Sequence, residues 1–229
     1  MTVKAVLTDI EGSTSAIAFV KETLFPFAEA ALDGFLDARE AEPEIVTILA
    51  EVPGPDRRAT LRRWMAEDAK VTPLKSLQGL IWRAGFEDGR LRGHLWPDVA
   101  PCLRAWAAGG IALAIYSSGS AGAQRLLFRH SVAGDLENLF RGFFDTRVGA
   151  KREAASYAAI AAELGLPAAE ILFLSDVAEE LDAAAASGLA TCQLVRAADG
   201  TQPCGRHPVE ADFPTVAHRF GLPLPKSPG

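Results

Sequence analysis

The chain has 229 residues, enough for one large domain or a domain carrying an insertion. Hydrophobic residues make up 49% of it, so a sizeable core can be buried, yet no uninterrupted apolar run is long enough to span a bilayer. A formal net charge of −6 argues against nucleic acid as a partner, and three scattered cysteines, Cys102, Cys192 and Cys204, form neither a disulfide framework nor a zinc site. That cysteine usage fits a reducing compartment. The N-terminal stretch lacks a long apolar segment with a small-residue cleavage site, so a cytoplasmic location is expected. The basic cluster Arg57, Arg58, Arg62 and Arg63 follows a helix surface and reads as a solvated face.

In chain order, V-K-A-V-L-T-D-I-E-G-S-T at 3–14 opens as an apolar strand that ends at Asp9, with a second acid at Glu11 and a turn at Gly12. The pattern then becomes helical. Val20, Leu24, Phe27 and Ala31 recur at spacings of three and four, and Pro26 is expected to kink or interrupt that helix. Pro43 opens a helix with Ile45, Ile48 and Leu49, and P-G-P at 53–55 breaks it. A helix with Leu61, Trp64 and Met65 follows. T-P-L-K-S-L-Q-G-L-I-W at 72–82 is another, with Thr72 as cap and Pro73 in its first turn. No strand pattern occurs between 15 and 96.

Alternation then returns. Asp98 caps a helix with Val99, Leu103 and Trp106 that ends at Gly109 and Gly110, and 111–116 is a buried strand. Ser120 caps a helix; Phe143 to Asp145 is a short strand or loop; Glu153 to Leu164 is helical. I-L-F-L at 171–174 is a strand ending at Ser175 and Asp176, followed by a helix to Ser187 and a last strand at 191–195. The tail, rich in Pro and Gly, reads mostly as loop. Strands alternating with helices give an α/β fold, a doubly wound, Rossmann-like parallel sheet. The expected organisation is a core of residues 1–14 and 97–229, with residues 15–96 inserted as an all-helical cap over the sheet's C-terminal edge.

Polar groups cluster at the ends of these strands. They are Asp9 and Glu11, Ser117 and Ser118, Lys151, and Asp176 with Glu179 and Glu180 nearby. In a parallel sheet such ends converge. The set meets the needs of phosphoryl transfer through an aspartyl-phosphate. Asp9 is the nucleophile and, with Asp176, a carboxylate ligand for Mg2+, which usually takes only one or two carboxylates. Glu11 contributes a further oxygen, its main-chain carbonyl being one candidate, and carries the proton to the leaving oxygen and from the attacking water. Lys151 adds positive charge beside Asp9, and Ser117 Oγ with the turn N–H groups at 118–119 donates to phosphoryl oxygens.

This ordered set resembles the haloacid-dehalogenase-type phosphatases, whose pattern is an acidic pair after the first strand, then Ser or Thr, then Lys, then a later acid. The dehalogenases themselves lack the second acid, so Glu11 favours a phosphatase. D-I-E-G-S-T-S, F-V-K-E-T-L-F-P-F-A, T-P-L-K-S-L-Q-G-L-I-W, G-H-L-W-P-D-V, I-Y-S-S-G-S-A-G-A-Q-R-L-L-F and F-L-S-D-V further resemble the enolase-phosphatases, or acireductone synthases, from about residue 3 to 196. Ser13-Thr14 stands where that family usually has Thr-Thr, and R-V-G-A-K-R-E departs modestly from its pattern around Lys151.

The resemblance implies an enzyme of methionine salvage. It would enolise 5-methylthio-2,3-dioxopentyl phosphate and then hydrolyse the phosphate to give the acireductone 1,2-dihydroxy-5-methylthiopent-1-en-3-one. It further implies Mg2+ bound by Asp9, Glu11 and Asp176, and substrate bound by Ser117, Ser118 and Lys151. His94, beside Gly93 at the cap's exit, is a candidate to reach substrate. Trp82 and Trp96 read as core, with a pocket for the methylthio tail as the alternative. The expected partner is a small phosphate ester, with no nucleic acid or membrane, and the chain is expected to be a monomer. Two alternatives are a phosphatase for another small phosphomonoester and a receiver-like domain phosphorylated on Asp. Receivers carry their Asp after an internal strand and lack a cap.

Overall fold

A computed structural model of the chain describes residues 2–225. Six strands, β1 (Ala5–Thr8), β2 (Ala112–Tyr116), β3 (Phe140–Phe144), β4 (Ile171–Ser175), β5 (Ala190–Leu194) and β6 (Val209–Glu210), form one sheet in the order β3-β2-β1-β4-β5-β6. Every pairing is parallel. All residues of β1, β2 and β4 are buried, as expected of inner parallel strands covered on both faces.

The remaining elements are α1 (Ile17–Phe19), α2 (Phe25–Arg39), α3 (Pro43–Ala50), α4 (Arg57–Ala66), α5 (Thr72–Glu87), α6 (Val99–Ala108), α7 (Ala121–Arg129), α8 (Ala154–Leu164), α9 (Ala178–Ala186) and α10 (Phe213–Phe220). The chain divides into two compact units, one made of the residues up to Ile17 and from Gly93 on, the other of Ala18–Arg92. The sequence put the changeovers at 14/15 and 96/97. Backbone bonds move them: Trp96 N–H donates to Thr14 O (3.0 Å) and Gly93 N–H to His130 O (2.9 Å). Ile17 N–H donates to Asp199 Oδ1 (3.1 Å), so residues 15–17 and 93–96 belong with the sheet.

In the sheet unit, strand alternation sends Ala5, Leu7, Ala114, Tyr116, Ile171 and Phe173 to one face, where Tyr157 and Ile160 of α8 and Leu181 and Ala184 of α9 pack on them. On the far side, Trp106 of α6 stacks on Phe213 of α10 at 5.1 Å. Helix α10 and β6 correct the reading of the tail as loop. Asp212 and Thr215 form a capping box, Pro214 sits in the first turn, and Gly221 closes the helix at φ +67°.

The unit 18–92 is helical throughout. Ala28, Leu32 and Leu36 recur every four residues along α2 and pack with Ile45 of α3, Leu61 of α4 and Leu77 of α5. Pro26 does not break the run. Residues Val20–Leu24 form a π-helical turn, and Phe25 N–H bonds Val20 O, so the helix widens just where proline has no N–H to give. Two expected caps are corrected. Thr72 lies inside α5, whose N-cap is Val71. Asp98 stands at the N-cap of α6 without capping it, because Arg196 takes its carboxylate. Within the basic cluster, Arg58 pairs with Asp37 and Glu40, and Arg62 with Asp33, so part of it is ion-paired to α2 rather than simply solvated.

Candidate active site

The chain runs from β1 to its neighbour β2 and on to β3, then returns to the other side of β1 as β4. The crevice at such a switch point, beyond the carboxyl ends of the strands, is where open parallel sheets bind ligands. Thr8 lies level with Ile115 and with Leu174, so Asp9, Ser117 and Asp176 leave three neighbouring strands at nearly the same height. Asp9 N–H still continues the ladder to Leu174 O at 2.9 Å, and Ser117 N–H to Phe144 O at 3.1 Å.

Asp9 is only 5% exposed. Its Oδ1 accepts from Ile10 N–H at 2.7 Å and meets Lys151 Nζ at 2.8 Å. Both contacts engage Oδ1 rather than Oδ2. The turn that follows is tightly wound: Ile10 O accepts from the N–H groups of Ser13, Thr14 and Ser15, and Gly12 N–H bonds Ser15 O. Arg196, buried, reinforces it by donating to Ser13 O through Nε (3.2 Å) and a terminal nitrogen (3.0 Å) while pairing with Asp98.

Lys151 is held between two carboxylates, with Nζ 2.8 Å from Asp9 Oδ1 and 2.6 Å from Glu180 Oε2. Burial pulls its pKa down, but the charges of Asp9 and Glu180 outweigh that and leave it above the ordinary lysine value. Glu180 is pushed up by burial and by Asp9, against the pull of Lys151. The Ser175 hydroxyl donates to Glu180 Oε2 at 2.9 Å, and Val177 N–H donates to Ser175 Oγ at 3.1 Å, an arrangement that fits an ionised Glu180. Asp176 is pushed up to about 7, first by burial and then by the charge of Asp9. A carboxylate made costly in this way beside a second one marks a place where a cation is favoured.

Lys151 and Asp9 are thus in contact, with Asp176 and Ser117 at the adjoining strand ends. Ser117 is 5% exposed and Ser118 is exposed. Glu11 is exposed on a turn whose other residues are buried, its backbone bridged to Ser15. Among the described residues no three His, Cys, Asp or Glu side chains stand together as a ready-made metal cage. His94 uses Nδ1 to accept from Ala16 N–H at 3.1 Å, with Ser15 Oγ 3.2 Å away, and its ring meets Trp96 edge-on. Burial keeps its pKa low. Trp82 donates to Leu24 O at 2.7 Å within the helical unit.

Two supporting groups escaped the sequence reading. Glu180 was noted only as an acid near Asp176. Buried Gln124, on α7, braces the 117–119 turn by donating to Gly119 O (2.7 Å) and Phe144 O (2.8 Å). Nothing in a single sequence marks that glutamine.

A family model for haloacid dehalogenase-like hydrolases matches residues 3–188. The chain belongs to the haloacid dehalogenase-like hydrolases. Within these hydrolases it sits with the enolase-phosphatases. It is 56% identical to Enolase-phosphatase E1 of Granulibacter bethesdensis, over 97% of this chain and 98% of that one. It is 51% identical to Enolase-phosphatase E1 of Pseudomonas aeruginosa, over 94% and 99%. The UTR4 protein of Saccharomyces cerevisiae superposes with a TM-score of 0.80 at 33% identity, over 93% of this chain and all of that one. CbbY of Rhodobacter sphaeroides, 18% identical with a TM-score of 0.60 over 93% and 95%, shares the haloacid dehalogenase-like fold. The chain is therefore an enzyme, a phosphatase of this hydrolase family, and the receiver alternative falls.

Proposed function

We propose that this phosphatase is the Mg2+-dependent enolase-phosphatase of methionine salvage. It would enolise 5-methylthio-2,3-dioxopentyl phosphate and hydrolyse the product's phosphate ester to give 1,2-dihydroxy-5-methylthiopent-1-en-3-one. The single observation that carries the chemistry is the contact of Lys151 with Asp9 Oδ1 at the switch point of the sheet. The relatives named Enolase-phosphatase E1 support the pairing of enolase and phosphatase activities.

Asp9 Oδ2 attacks phosphorus, the bond from phosphorus to the ester oxygen breaks, and Glu11 protonates the departing oxygen. Water then attacks the aspartyl-phosphate, Glu11 takes its proton, and phosphate leaves with Asp9 restored. Lys151 orients Asp9 through its 2.8 Å contact with Oδ1. Ser117 Oγ, Ser118 and the N–H groups of the 118–119 turn donate to the phosphoryl oxygens. Enolisation moves a proton from the carbon bearing the phosphate to the neighbouring carbonyl oxygen. Glu11, exposed two residues beyond the nucleophile, is a candidate base for it.

The site fits Mg2+. Its donors are hard oxygens, and Asp176, pushed up to about 7 first by burial and then by the charge of Asp9, is a carboxylate whose cost a divalent cation offsets. Asp9 and Asp176 would hold it, with the main-chain carbonyl of Glu11 as a further oxygen. When bound, Mg2+ supplies positive charge against the phosphate dianion and polarises a carbonyl oxygen.

The deciding experiment follows phosphate and enediol ultraviolet absorbance together from the diketo phosphate and Mg2+. Both should rise. Phosphate without the absorbance would replace this reading with a phosphatase for another small phosphomonoester.

A further inference from the structure

Lys151 stands in a loop without regular structure between β3 and α8, yet its ammonium meets two carboxylates within 2.8 Å. A lysine side chain is long and flexible, so its tip is only as well placed as its root. That root is held in an unusual way. Three successive carbonyls each accept from a side-chain hydroxyl: Gly149 O from Tyr116 at 3.0 Å, Ala150 O from Ser156 at 2.8 Å, and Lys151 O from Tyr157 at 2.7 Å.

We propose that Tyr116, Ser156 and Tyr157 form a hydroxyl clamp on residues 149–151 and are positioning residues that fix Lys151 for its work on Asp9. The catalytic part of this inference rests on the phosphatase mechanism above; the clamp itself rests on geometry alone.

The donors come from rigid elements, β2 and the first turn of α8. Tyr116, Tyr157 and Phe173 have fully buried side chains. The two tyrosine rings meet edge-on at 5.4 Å, and Tyr157 meets Phe173 at 5.0 Å, so neither phenol can swing away. Carbonyls shielded from water need partners; Ala150 O also accepts from Glu153 N–H at 3.1 Å, and the side chains of β2 and α8 supply the other donors. Gly149 completes the fit. It has φ +137°, and a Cβ there would overlap Ser156 Oγ, so the loop can lie this close only as glycine. Tyr116 acts at both ends of the lysine: its hydroxyl binds the loop, and its ring lies 5.9 Å below Nζ.

The test uses the full chain with Tyr157→Phe, Ser156→Ala, Tyr116→Phe and the Tyr157→Phe/Ser156→Ala double variant. Two readouts are taken. One is acetylation of Lys151 by acetic anhydride, followed by peptide mass spectrometry against exposed Lys4 as reference. The other is kcat and KM for the diketo phosphate. Lys151 should be acetylated about tenfold faster in the variants while Lys4 is unchanged, because a released root exposes the amine. The expected kcat falls about tenfold or more with KM within about threefold, as for a misplaced catalytic group rather than lost binding. Unchanged acetylation of Lys151 in both Ser156→Ala and the double variant would overturn the clamp. Ser156→Ala is the smallest change and keeps the test decisive where a Phe variant fails to fold. Absence of wild-type phosphate release would overturn the functional reading, while acetylation still decides the clamp.

Discussion

The Asp176 carboxylate rests directly on the backbone of Gly12. A Cβ at position 12 would overlap both its Oδ2 and its Cγ, and Gly12 has φ +73°. The turn after the nucleophile and the acid after β4 therefore fit together only while residue 12 has no side chain. Gly12→Ala should be destabilised by about 1–2 kcal/mol from the left-handed backbone alone, with further loss from the displaced carboxylate. Urea unfolding measures the first. A weakened Mg2+ dependence of phosphate release measures the second, and an unchanged metal titration would count against the packing argument.

Asp9→Asn should abolish phosphate release, because an amide cannot form the acyl-phosphate. Retained turnover in that variant would refute Asp9 as nucleophile. Asp176→Asn should lose most of its response to Mg2+. The cleanest reading needs no activity: Mg2+ should raise the Tm of the wild type clearly and that of Asp176→Asn little.

Lys151 joins two buried carboxylates, so removing it leaves both uncompensated. Lys151→Met should cost about 3–5 kcal/mol, as broken buried ion pairs do. Adding Glu180→Gln removes one of the stranded charges and should recover part of that loss, a coupling readable in a double-mutant cycle by urea unfolding. Strict additivity would mean that Lys151 and Glu180 do not act as a pair.

Asp145 has a pKa of about 2, held down chiefly by the Arg147 guanidinium and also by the N–H groups of Ala121 and Arg147, against the effect of burial. Its folded pKa lies below the ordinary aspartate value of 3.8, so the unfolded chain binds more proton in that window. The stabilisation is complete above pH 3.8 and is lost as pH falls towards 2. Arg147 is 81% exposed and screened by solvent, so the contribution is about 1 kcal/mol or less. Asp145→Asn should flatten the acid limb of a stability-against-pH curve, and salt should shrink the wild-type effect; an acid limb identical in both proteins would remove Asp145 from the account.

Much of this was legible along the chain. Apolar runs such as I-A-L-A-I-Y and I-L-F-L are what inner parallel strands require, since both faces are buried, and the polar residue ending each run marks the carboxyl edge. The helical block between β1 and β2 announced itself by spacing. The tail helix was legible too, as D-F-P-T closed by Gly221, but the Pro and Gly that mark its ends were read as loop.

Other relationships exist only once the sheet is wound. Strand order and register bring Glu180 to Lys151, and Arg196 to Asp98 and Ser13. Tyr116, far away in sequence, reaches the Gly149 carbonyl in the same way. Local spacing encodes what a residue does to its own helix or strand. It is silent on contacts that depend on crossovers, because there the partner is chosen by the path of the backbone and the demand of buried polar groups for a mate.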